Sequence, residues 1–198
     1  MKIILTIFFI SCNYLYAQVT QEWVTTYSGI GSGGNYAVKN AIDRYGNVLI
    51  VGISYSGSQD YIVLKYTNSG NLMWSRRYDG IDNGTDRIID MVLDDSANIY
   101  VTGLSYEGSE QGGQNWLTIK YSPSGEMKWK QSLDWTGHKS DVPASIVLDK
   151  NNNVYVTGYG YVGPPPLLKE DLVVAKYNND GILVWTRSHS SSPVYSDG

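Results

Sequence analysis

The chain holds one cysteine, two histidines and two phenylalanines in 198 residues. A lone thiol, Cys12, cannot form an internal disulfide, and it excludes a CxxC-type zinc site or redox pair. His138 and His189 stand in no metal-ligand spacing such as H-x-x-x-H, which removes the usual His-based centre. Basic excess is also missing: 15 Lys and Arg against 19 Asp and Glu give a formal charge of −4 and no field to attract nucleic acid. The longest apolar run, Ile3 to Ile10, is too short to span a bilayer. Helical periodicity is absent beyond it. What remains in abundance is tyrosine, 17 residues, with six tryptophans, a bias that suits sheet surfaces where a large ring carries a polar tip.

Met1-Lys2, the apolar run and a short polar stretch to Ala17 have the form of a secretory signal peptide over residues 1–17. Cleavage is expected between Ala17 and Gln18, which would leave a mature chain without thiols. Ser11-Cys12 as a lipoprotein acylation site is the rival reading, and would anchor the protein instead. An exported localisation follows in either case, in the periplasm, on the cell surface or outside the cell.

Internal repetition dominates the rest. Lys65-Tyr66, Lys120-Tyr121 and Lys176-Tyr177 are each followed four residues after the Tyr by Gly70, Gly125 and Gly181, and eight after it by Trp74, Trp129 and Trp185. Upstream, Asn47 to Gly52 is echoed at Asn98 to Gly103 and Asn153 to Gly158. A period of 55 to 56 residues marks an array of supersecondary units. Each unit resolves into four short β-rich runs separated by turn residues. In the first these are 36–43, 47–55, 60–67 and 71–78; in the second 86–94, 98–106, 115–122 and 126–133; in the third 142–149, 153–161, 171–178 and 182–188. Glu22 to Tyr27 matches only the fourth run, with Trp23 at the tryptophan position.

Four-stranded units at this period predict an all-β fold: a β-propeller of antiparallel blades, about three blades plus one N-terminal outer strand. The expected divisions are a closing strand and linker over 18–34, blades over 35–80, 81–137 and 138–189, and the start of a further connection over 190–198. Propellers use about four to eight blades, so the remainder of the ring is expected from further blades of a longer chain or from self-association.

Asp43-Arg44-Tyr45-Gly46-Asn47, Asn153 to Gly158, and Tyr177 through Gly181 to Trp185 resemble the bacterial β-propeller repeat often called the SBBP repeat, over roughly Gln21 to Ser188. The resemblance implies a large, exported, multi-blade protein of which this chain is a fragment, often carrying adhesion-like or sorting domains. The Ala17-Gln18 junction is similar to export signals of Bacteroidetes-type bacteria.

Several patterns that suggest chemistry have structural readings. Asp43, Asp94 and Asp149, each in D-x-x-x-N, are too poor in carboxylates for a calcium cage, and Asp at this place starts a turn by bonding its own backbone. Trp23, Trp74, Trp129 and Trp185 recur once per blade, as blade-docking residues do and ligand-stacking residues seldom need to. The G-x-x-x-W spacing also resembles the docking motif of quinoprotein propellers, but neither the cysteine pair nor the acid and Asn cluster of such a site is evident, so no cofactor and no metal is expected. Lys65, Lys120 and Lys176 are each expected to be partly buried and neutralised by a carboxylate such as Asp43, Asp94 or Asp149, with the stem packed on an aromatic.

All length variation falls between the second and third strands: Gly52 to Tyr66, Gly103 to Tyr121 and Gly158 to Tyr177 span 14, 18 and 19 residues. Variable loops on a constant scaffold are the usual place for recognition. Tyr55, Tyr106, Trp116 and Tyr161 are the candidate ligand contacts there, and Pro164-Pro165-Pro166 stiffens the longest loop. Three readings follow: a non-catalytic binding or surface-interaction module for a polysaccharide or envelope protein; part of an enzyme propeller, hydrolase, lyase or quinoprotein-like, with a site shared between blades; or a structural spacer. Clustered carboxylates or His at the channel mouth would favour the enzyme, and a face of Tyr, Asn and Gly would favour binding.

Overall fold

A computed structural model of the chain describes residues 21–29, 31, 33–81, 83–106, 113–135, 141–162 and 169–190. Within them lie twelve strands: β1 (Asn35–Ile42), β2 (Val48–Tyr55), β3 (Gln59–Tyr66), β4 (Leu72–Tyr78), β5 (Arg87–Leu93), β6 (Ile99–Tyr106), β7 (Gln114–Tyr121), β8 (Met127–Leu133), β9 (Val142–Leu148), β10 (Val154–Val162), β11 (Lys169–Tyr177) and β12 (Leu183–Ser190). They pair antiparallel with their chain neighbours into three four-stranded sheets, β1 to β4, β5 to β8 and β9 to β12. These are three blades of a propeller module. Strand β5 touches both β1 and β9, which makes the first strand of each blade the innermost. Residues 21–29 form no strand here, although Trp23 within them is docked on the first blade. Cys12, Ala17 and Gln18 lie outside the described residues, as do Pro164 to Pro166 and His138.

The hairpins follow from the turn residues. Asp43 Oδ1 accepts from the N–H groups of Tyr45 and Asn47, both at 2.9 Å, and Oδ2 accepts from Asn47 Nδ2 at 3.0 Å. The same three bonds recur on Asp94 with Ser96 and Asn98, and on Asp149 with Asn151 and Asn153. Each carboxylate therefore closes its own turn. The left-handed residue that each turn needs is Gly46, Ala97 or Asn152, with φ of 80°, 62° and 59°.

Blades join by knobs in glycine-lined holes. Each second strand carries a glycine opposite a bulge in the first, and a Cβ on Gly52, Gly103 or Gly158 would sit 2.0, 2.1 or 2.2 Å from the carbonyl oxygen of Tyr36, Arg87 or Val142. The same absent Cβ leaves room for the preceding blade: Tyr61 Oη lies 2.5 Å from that point on Gly103, and Trp116 Cζ2 lies 2.7 Å from it on Gly158. Trp116 is 1% exposed, among Ile146, Val154, Val156 and Val173. Burying a ring of this size contributes about 3 kcal/mol. At the third blade the knob position is Leu172, 56% exposed, and Gly52 on the first blade faces a cavity beside Tyr27, Ile62 and Tyr66. The two end faces are a knob and a hole of the same design.

A second joint lies at the outer rim. Trp23, Trp74 and Trp129 pack on Gly70, Gly125 and Gly181 of the blade that follows each, where any Cβ would come within 2.6 to 2.9 Å of the indole. Each indole N–H also donates into the same turn, to the carbonyls of Asn68, Pro123 and Asn179 at 2.9, 3.1 and 3.0 Å. Trp185 reaches no such turn and rests edge-on against Tyr155. At the inner rim, Lys39, Asp90 and Ser145 occupy equivalent positions in three successive blades and bond in series, Lys39 to Asp90 Oδ1 and Ser145 to Asp90 Oδ2. Burial alone would raise the Asp90 carboxyl, but Lys39 and the N–H groups of Ile146 and Met91 hold it below its ordinary value.

The lysine pairing expected once per blade occurs directly in the first only, where Lys65 Nζ lies 2.9 Å from Asp43 Oδ2. The reason is the residue opposite each lysine. Leu49 faces Lys65, whereas Tyr100 and Tyr155 face Lys120 and Lys176. In those blades the phenol donates to the aspartate, Tyr100 to Asp94 at 3.1 Å and Tyr155 to Asp149 at 3.4 Å. The ammonium then sits over the ring, 5.0 Å from its centroid in both cases.

Candidate functional site

Between the first and second blades, on the face that carries the variable loops, the strands end in an open groove of about 760 Å³. One wall is the β2–β3 hairpin, with Tyr55, Ser58 and Gln59; the other is formed by Asn83 to Thr85, Arg87, Tyr106 and Gln114. The two tyrosines occupy the same place in successive blades. Each ring lies against a glycine of the connection that enters its own blade, Tyr55 on Gly33 and Tyr106 on Gly84, where a Cβ would come within 2.0 and 2.3 Å of ring carbon. Tyr55 remains 41% exposed and Tyr106 is half-buried. Gln114 donates through Nε2 to Thr85 O at 3.1 Å, which ties the two sides of the second wall.

Beneath the groove lies a carboxylate cluster. Asp60, Asp79 and Asp86 each present an oxygen within 4.8 Å of the others, and are the residues that could hold a metal among those described. Their charge already has partners. Arg77 donates to Asp60 Oδ2 through Nε at 3.1 Å and Nη2 at 2.5 Å, and its Nη2 lies 3.2 Å from Asp79. Ser58 Oγ and Ser56 Oγ donate to Asp60 at 3.0 and 3.3 Å. Asp86 accepts from the backbone N–H groups of Gly80 at 2.6 Å and Tyr106 at 3.2 Å, so it latches the incoming connection to the end of β6. Burial raises the carboxyl groups of Asp60 and Asp86, with Arg77 opposing it at Asp60 and the Asp60 charge adding to it at Asp86. Asp60 and Asp86 have no exposed surface. They cannot reach a molecule in the groove, and their work is to set its floor.

At the next junction the same latch is Asp141, which accepts from Trp135 N at 2.7 Å and is fully buried. Its carboxyl is pushed up to about 6 by burial, against the Trp135 N–H and with a further push from the Asp134 charge. Strand register places Ser132 where the first junction has Arg77, and Asn115 where it has Asp60.

Of the four residues expected to contact a ligand, the structure brings Tyr55 and Tyr106 into one groove. Tyr161 lies one junction further on, its ring 6.1 Å from that of Tyr159. Glu170 accepts from its hydroxyl and raises the phenol. Trp116 is corrected as a ligand contact: it stands in strand β7, as the run 115–122 implies, and its ring fills the space over Gly158 inside the blade interface. Register places Trp116 level with Tyr61 and Leu172. Gln59, Asn83, Arg87 and Gln114 were missed. Gln59 and Gln114 stand at equivalent positions directly opposite Tyr55 and Tyr106, a recurrence that could have been read beside the aromatics.

A family model for the beta-propeller repeat, SBBP, matches residues 136–164, which include β9 and β10. An uncharacterized WD repeat-containing protein of Acanthamoeba polyphaga mimivirus is 26% identical over 170 residues, a match that takes in 67% of this chain and 12% of that protein. The chain thus spans a small part of the relative it matches. Both similarities agree with the blade architecture.

Proposed function

We propose that this propeller module is a non-catalytic binding scaffold, and that its ligand lies in the loop-face groove between the first and second blades. One observation carries the reading: the groove sets two tyrosine rings among amide and hydroxyl groups, while the clustered acids near it among the described residues, Asp60, Asp79 and Asp86, are tied up by Arg77, serine hydroxyls and backbone N–H groups. Aromatic faces with a few placed polar groups recognise polar ligands, and an acid held away from the groove cannot donate a proton to one. A polysaccharide is the ligand class that such a wall suits. The test is a glycan array read with wild-type protein and with the Tyr55→Ala/Tyr106→Ala double variant. Binding to a polysaccharide that drops at least about tenfold in the double variant, with an unchanged circular-dichroism melt, is expected. Equal binding by the two proteins would overturn the groove, and release of new reducing ends by the wild type would restore the enzyme reading.

Export and ring closure belong to the same proposal. The positive start, apolar run and Ala17-Gln18 junction support secretion, and the mature protein from its native host should begin at Gln18. A diacylglyceryl adduct on Cys12 would replace that with anchoring. The exposed Leu172 knob and the open hole at Gly52 support completion of the ring by further blades or by a second copy. Native mass spectrometry separates these outcomes, since a stable monomer of the 22.0 kDa chain would leave both faces bare.

A further inference from the structure

We infer that the ligand of this groove is an acidic, uronate-type polysaccharide whose carboxylate is held by Arg87. The inference rests on the binding reading above and names the chemistry of the same site. Arg87 is exposed in the groove wall and forms no hydrogen bond or ion pair among the described residues. Among the described residues, the acids nearest it do not compete for it. Side chains alternate across a strand, so Asp86 is turned inward to Gly80 and Tyr106 while Arg87 faces the groove, and Asp60 and Asp79 are held by Arg77. A guanidinium offers five donors in a fixed fork that matches a carboxylate bidentately.

A sugar is favoured over an acidic peptide by what else lines the groove. Beside Arg87 and the two tyrosines, its lining among the described residues is glycine, serine, threonine, asparagine and glutamine. Peptide side chains anchor in desolvated apolar pockets, and no aliphatic side chain among the described residues lines this one. Pyranose rings need aromatic faces and amide partners, which Tyr55, Tyr106, Gln59 and Asn83 supply.

The neighbouring junction provides an internal control. Register sets Val142 in the place of Arg87 and Glu170 in the place of Gln114. Among the described side chains that junction keeps its tyrosine, Tyr161, has no counterpart of the Arg87 guanidinium at the same register and gains an acid. Arg87 is therefore a departure of one copy and does not come with the repeat.

The experiment is calorimetric titration of the mature chain with oligogalacturonate, with a neutral glucan oligomer of equal length, with a sulfated dextran and with polyglutamate, at two salt concentrations. Oligogalacturonate is expected to bind, and Arg87→Val, which copies the second junction, should weaken it by about tenfold or more without moving the melting temperature. Tyr55→Ala should weaken it as well. Lys150→Ala removes an exposed cation in the β9–β10 turn, away from the groove, and should change nothing. Tight binding of the sulfated polymer alone would move the assignment to sulfate esters and overturn the uronate. Unchanged oligogalacturonate affinity in Arg87→Val, or equal affinity for the neutral glucan, overturns the acidic ligand while the groove survives, provided Tyr55→Ala still weakens binding. Binding of polyglutamate through Arg87 without any glycan overturns the sugar. Failure of every probe, or indifference to both Tyr55→Ala and Arg87→Val, removes the groove itself.

Discussion

The junction between the first and second blades and the junction between the second and third share one frame and differ in charge. In both, an aspartate at the start of the inner strand, Asp86 or Asp141, accepts from the backbone of the connection that enters the blade. In both, a bulky residue of the earlier blade, Tyr61 or Trp116, enters the space left by a glycine of the later one. Around this frame the first junction adds Arg77 beneath and Arg87 in the wall, where the second has Ser132 and Val142. The lesson is that repeat-wide positions determine how blades dock, and that chemistry enters at positions where one copy departs from the others.

Changes to the shared frame should have the largest effect and should not distinguish the junctions. Trp116→Ala removes a fully buried ring and leaves a cavity against Gly158, so a loss of about 3–5 kcal/mol is expected in urea unfolding. Tyr61→Ala should approach it. If either proved nearly neutral, the view that knob and hole join the blades would fail. Trp74→Ala should cost about 2 kcal/mol through lost packing on Gly125 and a lost bond to Pro123 O. Trp185→Ala in the 198-residue chain should cost far less, because among the described residues its indole meets no counterpart of those turns.

Changes to the added charges should separate the two junctions. Arg77→Met leaves Asp60 and Asp79 without their cation in a buried cluster, and about 2 kcal/mol should be lost, discounted because the arginine is partly exposed. Ser132→Ala at the other junction should be neutral within about 0.5 kcal/mol. A cost shared equally between them would show that Arg77 acts by packing its stem and not by its charge.

Blade number, strand order and the docking tryptophans were legible because each recurs at a fixed spacing, and the same recurrence gave the role of Asp43, Asp94 and Asp149 in their turns. The N-terminal run of Glu22 to Tyr27 was legible as a docking segment but not as an unpaired one, since pairing depends on a strand edge that none of the described sheets offers it. The aromatic contact and nearby aspartate expected of Lys120 and Lys176 are present, but the choice between a direct ion pair and a phenol set between the charges depends on the cross-strand neighbour, Leu49 against Tyr100 and Tyr155. The groove was half legible. Tyr55 and Tyr106 stood out as aromatics beside variable loops, while Arg87 and the Asp60, Asp79 and Asp86 cluster depend on which strand ends meet across a junction, and no spacing within one blade encodes that.

The smallest expected effect concerns the latch that both junctions share. Asp141 is fully buried, has Asp134 beside it and has Ser132 where the other junction has an arginine, so its carboxyl is pushed up to about 6 from an ordinary 3.8. A folded-state value above the unfolded one means that the native fold prefers the proton. The stability contributed by Asp141 is therefore complete below about pH 4, and it declines as pH rises through about 6. Asp141→Asn keeps an oxygen that can accept from Trp135 N–H and has no charge to bury, so the difference between variant and wild-type stability should move in the variant's favour between pH 4 and 7, by an amount of order 1 kcal/mol. Carboxylates held low elsewhere, Asp43, Asp90 and Asp149, titrate in the opposite sense in both proteins and cancel in that difference. Denaturant unfolding at pH 4, 5.5 and 7 measures it. A difference that stays flat across that range would mean that Asp134 and Asp141 are relieved by a partner at the second junction, as Arg77 relieves Asp60 and Asp79 at the first.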